Sequence, residues 1–418
     1  MGIDDAPARS AVGGRGLGIA FWRLWGSAGL SDLANGTLQV AVPLMAVGLT
    51  QTPTLIAGAT FAFTLPWLLF ALPAGALVDR LDRRRVMLGA NVVRASLVAV
   101  FLLAVLLDAG TIWALYVIAF GVGVAETIYE SAAQSIVPQV VRRDQLPRAN
   151  GRLYAAQLTA NEFVGPPLAG FLVTVGVAFA VAVPVGLWVV AVVALCLMRG
   201  SFRIERRQHV SVRADIGEGL RFLWHQRLLR KFTVMVGVFN LASSATFAVL
   251  VLYAVGPTSA MGLSGQAFGV LLTTVAAGSV VGSFVAHYLE RLLGRARTLV
   301  LSFLAGTLVA GVPAVTANAY LIGITFFVGG AGVLVSNVVT VTLRQRITPD
   351  RLLGRVNSSH RLVAWGTKPL GAAVGGVLAQ LLGLRAVFGI MGLVSLAALA
   401  LLTGVTDQAM ETAERDAV

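Results

Sequence analysis

The sequence predicts an all-α membrane protein with twelve transmembrane helices, arranged as two bundles of six. Composition is the first reason, because 57% of the 418 residues are hydrophobic and only 12% are charged, whereas charged residues make up about a quarter of an ordinary soluble domain. The second reason is a series of apolar runs of roughly 20 residues, the length that a helix needs to cross about 30 Å of hydrocarbon. The third is an internal repeat that divides these runs into two sets of six.

Twelve apolar runs, numbered here as spans 1 to 12, are long enough to cross a membrane. Polar turns rich in glycine and arginine separate them. Their approximate cores are residues 22–48, 54–77, 86–107, 112–137, 152–175, 178–198, 232–256, 266–289, 298–316, 319–342, 357–381 and 385–405.

The formal net charge of +13 is distributed unevenly along the chain. Arginines concentrate in the amino-terminal segment and in the turns after even-numbered spans, whereas the opposite turns hold almost only Arg385. Because basic residues collect in cytoplasmic loops, this bias predicts a multi-pass protein of the bacterial cytoplasmic membrane with both termini in the cytoplasm. Charges confined to alternate turns of a membrane protein do not indicate nucleic-acid binding, so we expect no nucleic-acid partner.

The sequence lacks the patterns that hold metals, cofactors and nucleotides. Cys196 is the only cysteine, which excludes a disulfide framework and a cysteine-based metal cage. No Walker lysine motif and no glycine-rich nucleotide loop occurs. We therefore expect no metal, no cofactor and no coupling to ATP.

The internal repeat consists of two pairs of similar segments, each pair separated by 207 residues. Gly75-Ala-Leu-Val after span 2 matches Gly282-Ser-Phe-Val after span 8. The segment before span 5, Leu146-Pro-Arg-Ala-Asn150, matches the segment before span 11, Leu353-Gly-Arg-Val-Asn357. Two six-helix halves of parallel topology follow from these matches.

The repeat and the charge pattern together predict how the chain is divided. The predicted parts are a cytoplasmic tail at 1–19, a first bundle at 20–198, a cytoplasmic linker at 199–231, a second bundle at 232–405 and a cytoplasmic tail at 406–418. Within the linker, apolar residues recur at helical spacing, which predicts an amphipathic helix at the inner membrane surface. These residues are Ile216, Leu220, Leu223 and Leu228.

A polar, arginine-dense turn between spans 2 and 3 is the most distinctive motif, and it reads Gly75-Ala-Leu-Val-Asp79-Arg80-Leu-Asp-Arg83-Arg84-Arg85. A glycine at position 75 would let two helices approach closely. Asp79 can accept hydrogen bonds from arginines and from helix N-termini. We therefore expect Gly75, Asp79 and the arginines at 80, 83 and 84 to form a gate at the cytoplasmic face.

A second motif lies in span 5, where the sequence is Gly165-Pro166-Pro167-Leu168-Ala169-Gly170. Glycine and proline inside a spanning helix let it bend and pack tightly against a neighbour. A rocking gate requires both properties.

Two parallel six-helix halves and these two motifs resemble the major facilitator transporters. Further segments are similar to the enterobactin-exporter and macrolide-efflux branch: Phe21-Trp-Arg-Leu-Trp25, Ala132-Ala-Gln134-Ser-Ile-Val-Pro138 and Glu218-Gly-Leu-Arg-Phe-Leu-Trp224. The family's turn motif usually has Gly where Asp82 stands here. Span 4 also lacks the arginine that the best-known drug antiporters carry there.

The resemblance implies a secondary active exporter that moves a small amphiphilic molecule, such as a drug, antibiotic or siderophore, by alternating access. It implies that Gly165, Pro166 and Gly170 belong to the motif that marks the family's antiporters, so proton antiport is expected. The alternative within transport is a carrier for a metabolite, siderophore or lysolipid without proton antiport. The expected partners are the small-molecule substrate, protons and the lipid bilayer, and the expected state is a monomer.

Two intramembrane carboxylates, Asp32 in span 1 and Glu126 in span 4, are the candidates for proton coupling. An ionisable group is expensive to hold in hydrocarbon, so it is a functional candidate by default. Asp32 shares a helical stripe with Asn35 and Gln39. Glu126 shares a face with Glu130 one turn away, and two such carboxylates repel if both are ionised. We expect Asp32 to carry the proton and Glu126 to meet a cationic substrate.

Further polar residues in the spans are candidates for the substrate cavity. These are Asn35, Gln39, Glu130, Gln157, Asn161, Asn240, Asn337 and Lys368. Lys368 lies near the middle of span 11, so it should pair with a carboxylate or meet an anionic group, and Asp32 or Glu126 is the expected partner. Arg94 in span 3 is expected to have a structural role, either snorkelling or pairing.

Two classes of protein without a transport function were also weighed. Gly262-Leu-Ser264-Gly265 superficially fits the serine motif of an intramembrane protease, with His287 as a conceivable base. Ser264 and His287, however, stand at opposite ends of span 8, about 34 Å apart at 1.5 Å per residue. A membrane receptor is the other class, and the sequence contains nothing that resembles a signalling domain. We expect no enzymatic activity.

Overall fold

The computed structural model describes residues 17–78, 80–198, 200, 202 and 212–416. These residues form fifteen α-helices, a π-helical segment at Leu158–Val164 and 3₁₀ turns at Arg143–Gln145 and Leu399–Leu402. The α-helices are α1 Gly18–Leu49, α2 Pro53–Val78, α3 Arg83–Leu106, α4 Ile112–Val140, α5 Leu146–Gln157, α6 Gly165–Val175, α7 Val177–Cys196, α8 Val212–His225, α9 Arg227–Ala254, α10 Gly265–Leu293, α11 Arg295–Val315, α12 Ala319–Ile347, α13 Asp350–Leu382, α14 Leu384–Ala398 and α15 Asp407–Arg415.

Each of the twelve predicted spans coincides with helical structure. Spans 1–4 are α1–α4, span 5 is α5 with the π segment and α6, span 6 is α7, spans 7–11 are α9–α13, and span 12 is α14. In the part of the chain that the structure describes, ten helices are long and apolar enough to cross a membrane. The first and fifth spans are not among them. α1 carries polar groups along its length, and the π segment divides the fifth span.

The two bundles contact each other along two lines. α2 packs against α13, and α6 packs against α10. Glycine permits the second contact, because a Cβ at Gly170 would collide with the carbonyl oxygen of Gly265, and a Cβ at Gly269 would collide with that of Pro166. Both glycine contacts lie far from the turns that carry Arg83–Arg85 and Arg295–Arg297. We call the side with those turns the arginine-rich end and the other side the opposite end, so the opposite end is closed by backbone contact.

Two short amphipathic helices lie at the arginine-rich end. α8 is the predicted linker helix, and it packs against the beginning of α13. It ends at His225, so Leu228 belongs to α9 rather than to the linker helix. α15 lies in the predicted carboxy-terminal tail, where Glu414 pairs with Arg295 at 2.6 Å and with Arg346 at 3.3 Å. The α15 ion pairs hold this helix against α11 and α12.

Candidate functional site

A buried polar cluster in the first bundle is built around Arg94 of α3. Its guanidinium is fully buried, forms an ion pair with the Glu126 carboxylate of α4, and donates a hydrogen bond to Asn91 Oδ1. The same group stacks over two aromatic rings, 4.4 Å from the centroid of Tyr129 and 5.2 Å from that of Trp188. The hydrogen-bonded ion pair offsets the cost of burying both charges in the bundle.

α1 brings a second carboxylate, Asp32, to this cluster. The neighbouring Ser31 hydroxyl donates to Asn91 Oδ1 at 2.9 Å, which fixes α1 against α3. Asp32 is 6% exposed and within electrostatic range of Glu126, Glu130 and Arg94. None of the described residues donates a hydrogen bond to the Asp32 carboxylate. Three carboxylates therefore lie within electrostatic range of one another, and Glu126 alone among them pairs with the Arg94 guanidinium.

Glu130 continues the cluster towards the arginine-rich end and the second bundle. Gln134 donates from its amide nitrogen to Glu130 Oε1 at 2.8 Å. The amide oxygen of Gln134 accepts from Arg361 of α13 at 3.1 Å. A chain of polar groups thus connects the first bundle to the second on the side nearest the arginine-rich turns.

A second charged group, Lys368 of α13, lies where the bundles meet. Its ammonium stands 4.6 Å from the centroid of the Trp365 ring, which in turn lies 4.8 Å from the Trp67 ring of α2. Glu162 of the π segment is the carboxylate that interacts electrostatically with Lys368. The expectation that Lys368 is the counter-ion of Asp32 or Glu126 is therefore wrong, because Arg94 holds Glu126 and Lys368 faces Glu162.

The predicted polar residues of the second bundle have different surroundings. Asn240 donates to the Ala364 carbonyl at 2.7 Å, and Ser244 donates to the Lys368 carbonyl at the same distance. Both groups hold α9 against α13 rather than presenting a free side chain. Asn337 is exposed on α12 and is not part of either charged cluster.

The predicted polar residues of α1 and span 5 are only partly brought together. Gln39 is exposed and Gln157 is half-buried. The side-chain oxygens of Asn35 and Asn161 are buried and accept no hydrogen bond from the described residues. Asn161 lies against Gly36, where a Cβ would collide with its backbone carbonyl. α1 and the π segment therefore cross at Gly36, one residue from Asn35.

The π segment has a local cause in the sequence that follows it. Pro166 and Pro167 have no amide hydrogen, and each proline ring would clash with the carbonyl four residues earlier in a regular α-helix. The carbonyls concerned belong to Glu162 and Phe163, both within the π segment. A π turn, with its wider i→i+5 spacing, absorbs this conflict. The bend predicted for span 5 is therefore a change from α-helical to π-helical hydrogen bonding around Glu162, the residue that faces Lys368.

The turn motif holds the first bundle together at the arginine-rich end. Asp82 caps the N-terminus of α3 by accepting from the Arg85 amide at 3.1 Å, and it also accepts from the Phe202 amide at 2.8 Å. Arg84 donates to the last carbonyls of α7, at 2.8 Å to Leu195 and 2.9 Å to Cys196. The aspartate that departs from the family pattern therefore has a definite role as a helix cap.

Four other residues of the turn motif were predicted to form the gate. Arg83 is buried, and its amide donates to the Phe202 carbonyl at 3.3 Å, whereas Arg80 is exposed. Asp79 lies outside the described residues. The predicted close approach at Gly75 is not formed in this conformation, because a Cβ there would meet no atom of the described residues within 4 Å.

Sequence reasoning missed three partners of Arg94, namely Asn91, Tyr129 and Trp188. Asn91 lies three residues before Arg94 on α3, so helical spacing alone could have placed it beside the guanidinium. Trp188 sits in the most apolar part of the chain, where nothing distinguishes a ring that stacks on Arg94 from one that faces lipid.

The serine of the protease-like segment has a structural role. The Ser264 hydroxyl accepts from the Ala267 amide at 3.1 Å and caps α10. His287 lies on the same helix, near its other end. The two residues therefore cannot form a catalytic pair.

The chain is similar to characterised efflux proteins in sequence and to a transporter in structure. A family model described as transmembrane secretion effector matches residues 18–418. The multidrug efflux pump Tap of Mycolicibacterium fortuitum is 28% identical over 372 residues, which cover 85% of this chain and 88% of the pump. Macrolide efflux protein A of Streptococcus pyogenes is 24% identical over 157 residues, 38% of each protein. The nucleoside transporter NupG has the same fold, with a TM-score of 0.74 and 13% identity over 93% of this chain and 99% of that one.

Proposed function

The chain belongs to the transmembrane secretion effector family of the major facilitator superfamily, and we propose that it exports a small amphiphilic molecule in exchange for protons. The family and the relatives are transporters. A multidrug pump that aligns over most of the chain and a macrolide efflux protein that aligns over part of it support a drug or antibiotic as the substrate class. We propose that the protein works as a monomer in the bacterial cytoplasmic membrane.

The observation that carries the proposed proton coupling is the imbalance of charge around Arg94. Asp32, Glu126 and Glu130 lie within electrostatic range of one another, and the Arg94 guanidinium beside them is committed to Glu126. Asp32 is 6% exposed, and an ionised carboxylate buried without a partner is strongly disfavoured. We propose that Asp32 takes up a proton when the cluster is open to the outside, holds it on entering this conformation, and releases it to the cytoplasmic side before the substrate binds.

Loss of that proton would change which carboxylate Arg94 pairs with. An ionised Asp32 competes for the guanidinium because it lies within electrostatic range of it. Glu126 would then be released to meet a cationic or polar group of the substrate. In this scheme, one proton and one substrate bind alternately to the same charge cluster, which is the requirement for antiport.

The closed end supports an orientation for the described conformation. Gly170 and Gly269 bring α6 and α10 into backbone contact at the opposite end. The arginine-rich end is cytoplasmic under the positive-inside rule. We propose that the protein is closed to the outside in this conformation and accepts its substrate from the cytoplasmic side or the inner leaflet.

The substrate role of Glu126 is tested with a panel of macrolides and cationic dyes in inverted membrane vesicles. Glu126→Gln should weaken cationic compounds by about 1–3 kcal/mol, the range for a lost charge-assisted hydrogen bond, and should affect neutral compounds less. Glu411→Gln, on the exposed surface of α15, is the matched control. An unchanged compound profile would contradict the substrate role, and transport without any pH dependence would favour a carrier that does not exchange protons.

A further inference from the structure

A cleft opens on the surface of the first bundle, between α1 and span 5. Its volume is about 630 Å³. Four small residues, Gly29, Ala155, Ala156 and Ala160, form part of its wall. On α1 it extends from Trp22 to Leu33, about 16 Å at 1.5 Å per residue. The cleft therefore has the depth and the apolar lining that suit an acyl chain.

The mouth of this cleft is aromatic and cationic. Arg152 lies at the mouth, with its guanidinium 4.9 Å from the centroid of the Trp22 ring. The Trp25 indole donates to the Arg152 carbonyl at 3.1 Å. No carboxylate of the described residues lies within salt-bridge distance of Arg152. Tryptophan is typical of the level of lipid headgroups, so the guanidinium stands where a headgroup phosphate would be.

The second bundle contains the equivalent cleft, and α8 fills it. Adding the repeat interval of 207 residues takes Arg148 to Arg355 and Arg152 to Ser359. Gly219 of α8 lies directly against the Arg355 carbonyl and the Ser359 hydroxyl. Glu218 of α8 forms an ion pair with Arg355. The helix thus supplies a carboxylate to the position that corresponds to Arg148.

α8 also supplies the apolar contact in the second bundle. Leu223 is fully buried and belongs to the same apolar cluster as Leu229 and Phe232. These two residues are 3% exposed, whereas their counterparts in the first bundle, Trp22 and Trp25, are 46% and 36% exposed. The first bundle therefore leaves open the surface that α8 covers in the second.

The chain before α1 differs in composition from α8. Residues 1–16 contain no leucine, phenylalanine or tryptophan, whereas α8 carries Leu220, Phe222, Leu223 and Trp224. Residues 1–16 therefore lack the large apolar side chains with which α8 covers the second bundle. The surrounding bilayer contains molecules that offer an acid and an apolar chain together.

We propose that this cleft binds one anionic phospholipid, whose phosphate meets Arg152 and whose acyl chain lies along Gly29, Ala156 and Ala160. The lipid would occupy in the first bundle the position that α8 occupies in the second. Thr159, Ala160 and Val164 belong to the π segment and line the cleft. The bound chain therefore touches the residues next to Glu162, at the point where span 5 changes register.

The test is native mass spectrometry of the full-length protein taken from vesicles of phosphatidylcholine with a minority of phosphatidylglycerol. The wild type should retain one phosphatidylglycerol in preference to phosphatidylcholine. Arg152→Gln should reduce this retention about fivefold, which corresponds to about 1 kcal/mol per basic residue facing anionic lipid. Arg152→Lys should retain the lipid, because the positive charge remains.

Two matched variants separate this cleft from general effects. Ala156→Phe fills the cleft and should lower retention, whereas Val190→Phe places the same aromatic side chain on the exposed surface of α7 and should not. Arg291→Gln removes an exposed arginine from α10 and should leave retention unchanged.

Four results would overturn the proposal. One is equal retention of the two lipids by the wild type, and another is unchanged retention in both Arg152→Gln and Ala156→Phe. The third is retention that appears only after residues 2–16 are deleted, which would identify the amino-terminal segment as the occupant. If Ala156→Phe blocks transport while lipid retention stays as in the wild type, the cleft admits substrate and the lipid proposal is also wrong.

Discussion

Arg94 is the residue on which the buried cluster depends. Its side chain is fully buried and meets Glu126, Asn91, Tyr129 and Trp188, so four side chains lose a partner if it is removed. A lysine at this position could not reproduce the planar, multiple-donor geometry. The guanidinium therefore determines both the stability of the bundle and the ionisation of the acids around it.

We expect Arg94→Met to lower the free energy of unfolding by about 3–5 kcal/mol, because it leaves the Glu126 carboxylate buried without its counter-ion. The double variant Arg94→Met with Glu126→Gln should recover much of that loss, since the uncompensated charge is removed. Thermal unfolding in detergent measures both values. Equal destabilisation in the single and double variants would show that packing against Tyr129 and Trp188, rather than the charge pair, holds Arg94.

The sequence alone predicted these residues unevenly. Asp32, Glu126 and Lys368 were identified because a charged residue in an apolar span is conspicuous whatever it contacts. The partner expected for Lys368 was wrong and the other partners were not predicted, because pairing depends on how helices rotate against one another, which an apolar sequence does not specify. Arg94 and Lys368 are both cations deep in the bundles, and only the structure assigns one to Glu126 and the other to Glu162.

At the scale of elements, span 5 is the one whose structure differs most from a regular helix. Pro166 and Pro167 predicted a bend, but the change to π-helical hydrogen bonding was not predictable, because a proline conflict can also be relieved by a kink or by water. The apolar cores of the remaining spans were predicted to within a few residues. Helices such as α12 continue to Ile347, past the predicted end at 342, because helical hydrogen bonding does not require an apolar sequence.

We expect Gly170→Val to open the contact between α6 and α10, since any Cβ at Gly170 collides with the Gly265 carbonyl. Spin labels at Val175 and Met261, in a protein with Cys196→Ser, should then report a longer distance across the opposite end. Gly186→Val is the matched control, because a Cβ at Gly186 meets no atom within 4 Å. An unchanged label distance in Gly170→Val would mean that this glycine contact does not hold the end closed.

The whole molecule combines two halves that differ most at their charged groups. The first bundle carries Asp32, Glu126 and Arg94. The second bundle contributes two cations that interact with the first: Lys368 interacts electrostatically with Glu162, and Arg361 donates a hydrogen bond to Gln134. These two contacts join the bundles, so movement of one half against the other must break or exchange them. Proton loading in the first bundle and movement between the bundles are thus linked through neighbouring polar residues of α4 and the π segment.

The fold class followed from composition, apolar run length and the repeat, because the bilayer restricts spanning structures to helices or closed barrels. The end at which the halves touch could not be predicted. A transporter must form both closed arrangements with one sequence, so glycines that permit contact at the opposite end, such as Gly170 and Gly269, do not reveal which arrangement is populated.

Proton flux in proteoliposomes tests the central claim, that Asp32 couples export to protons, most directly. With a pH-sensitive dye inside the vesicles, the wild type should move protons against the flow of a transported macrolide or cationic dye. Asp32→Asn should abolish this proton movement and pH-driven accumulation, because the amide cannot release a proton. It should retain exchange of a labelled for an unlabelled neutral compound, because such a compound does not need Glu126 to be released from Arg94. Proton movement and pH-driven accumulation equal to the wild type in Asp32→Asn would contradict the account.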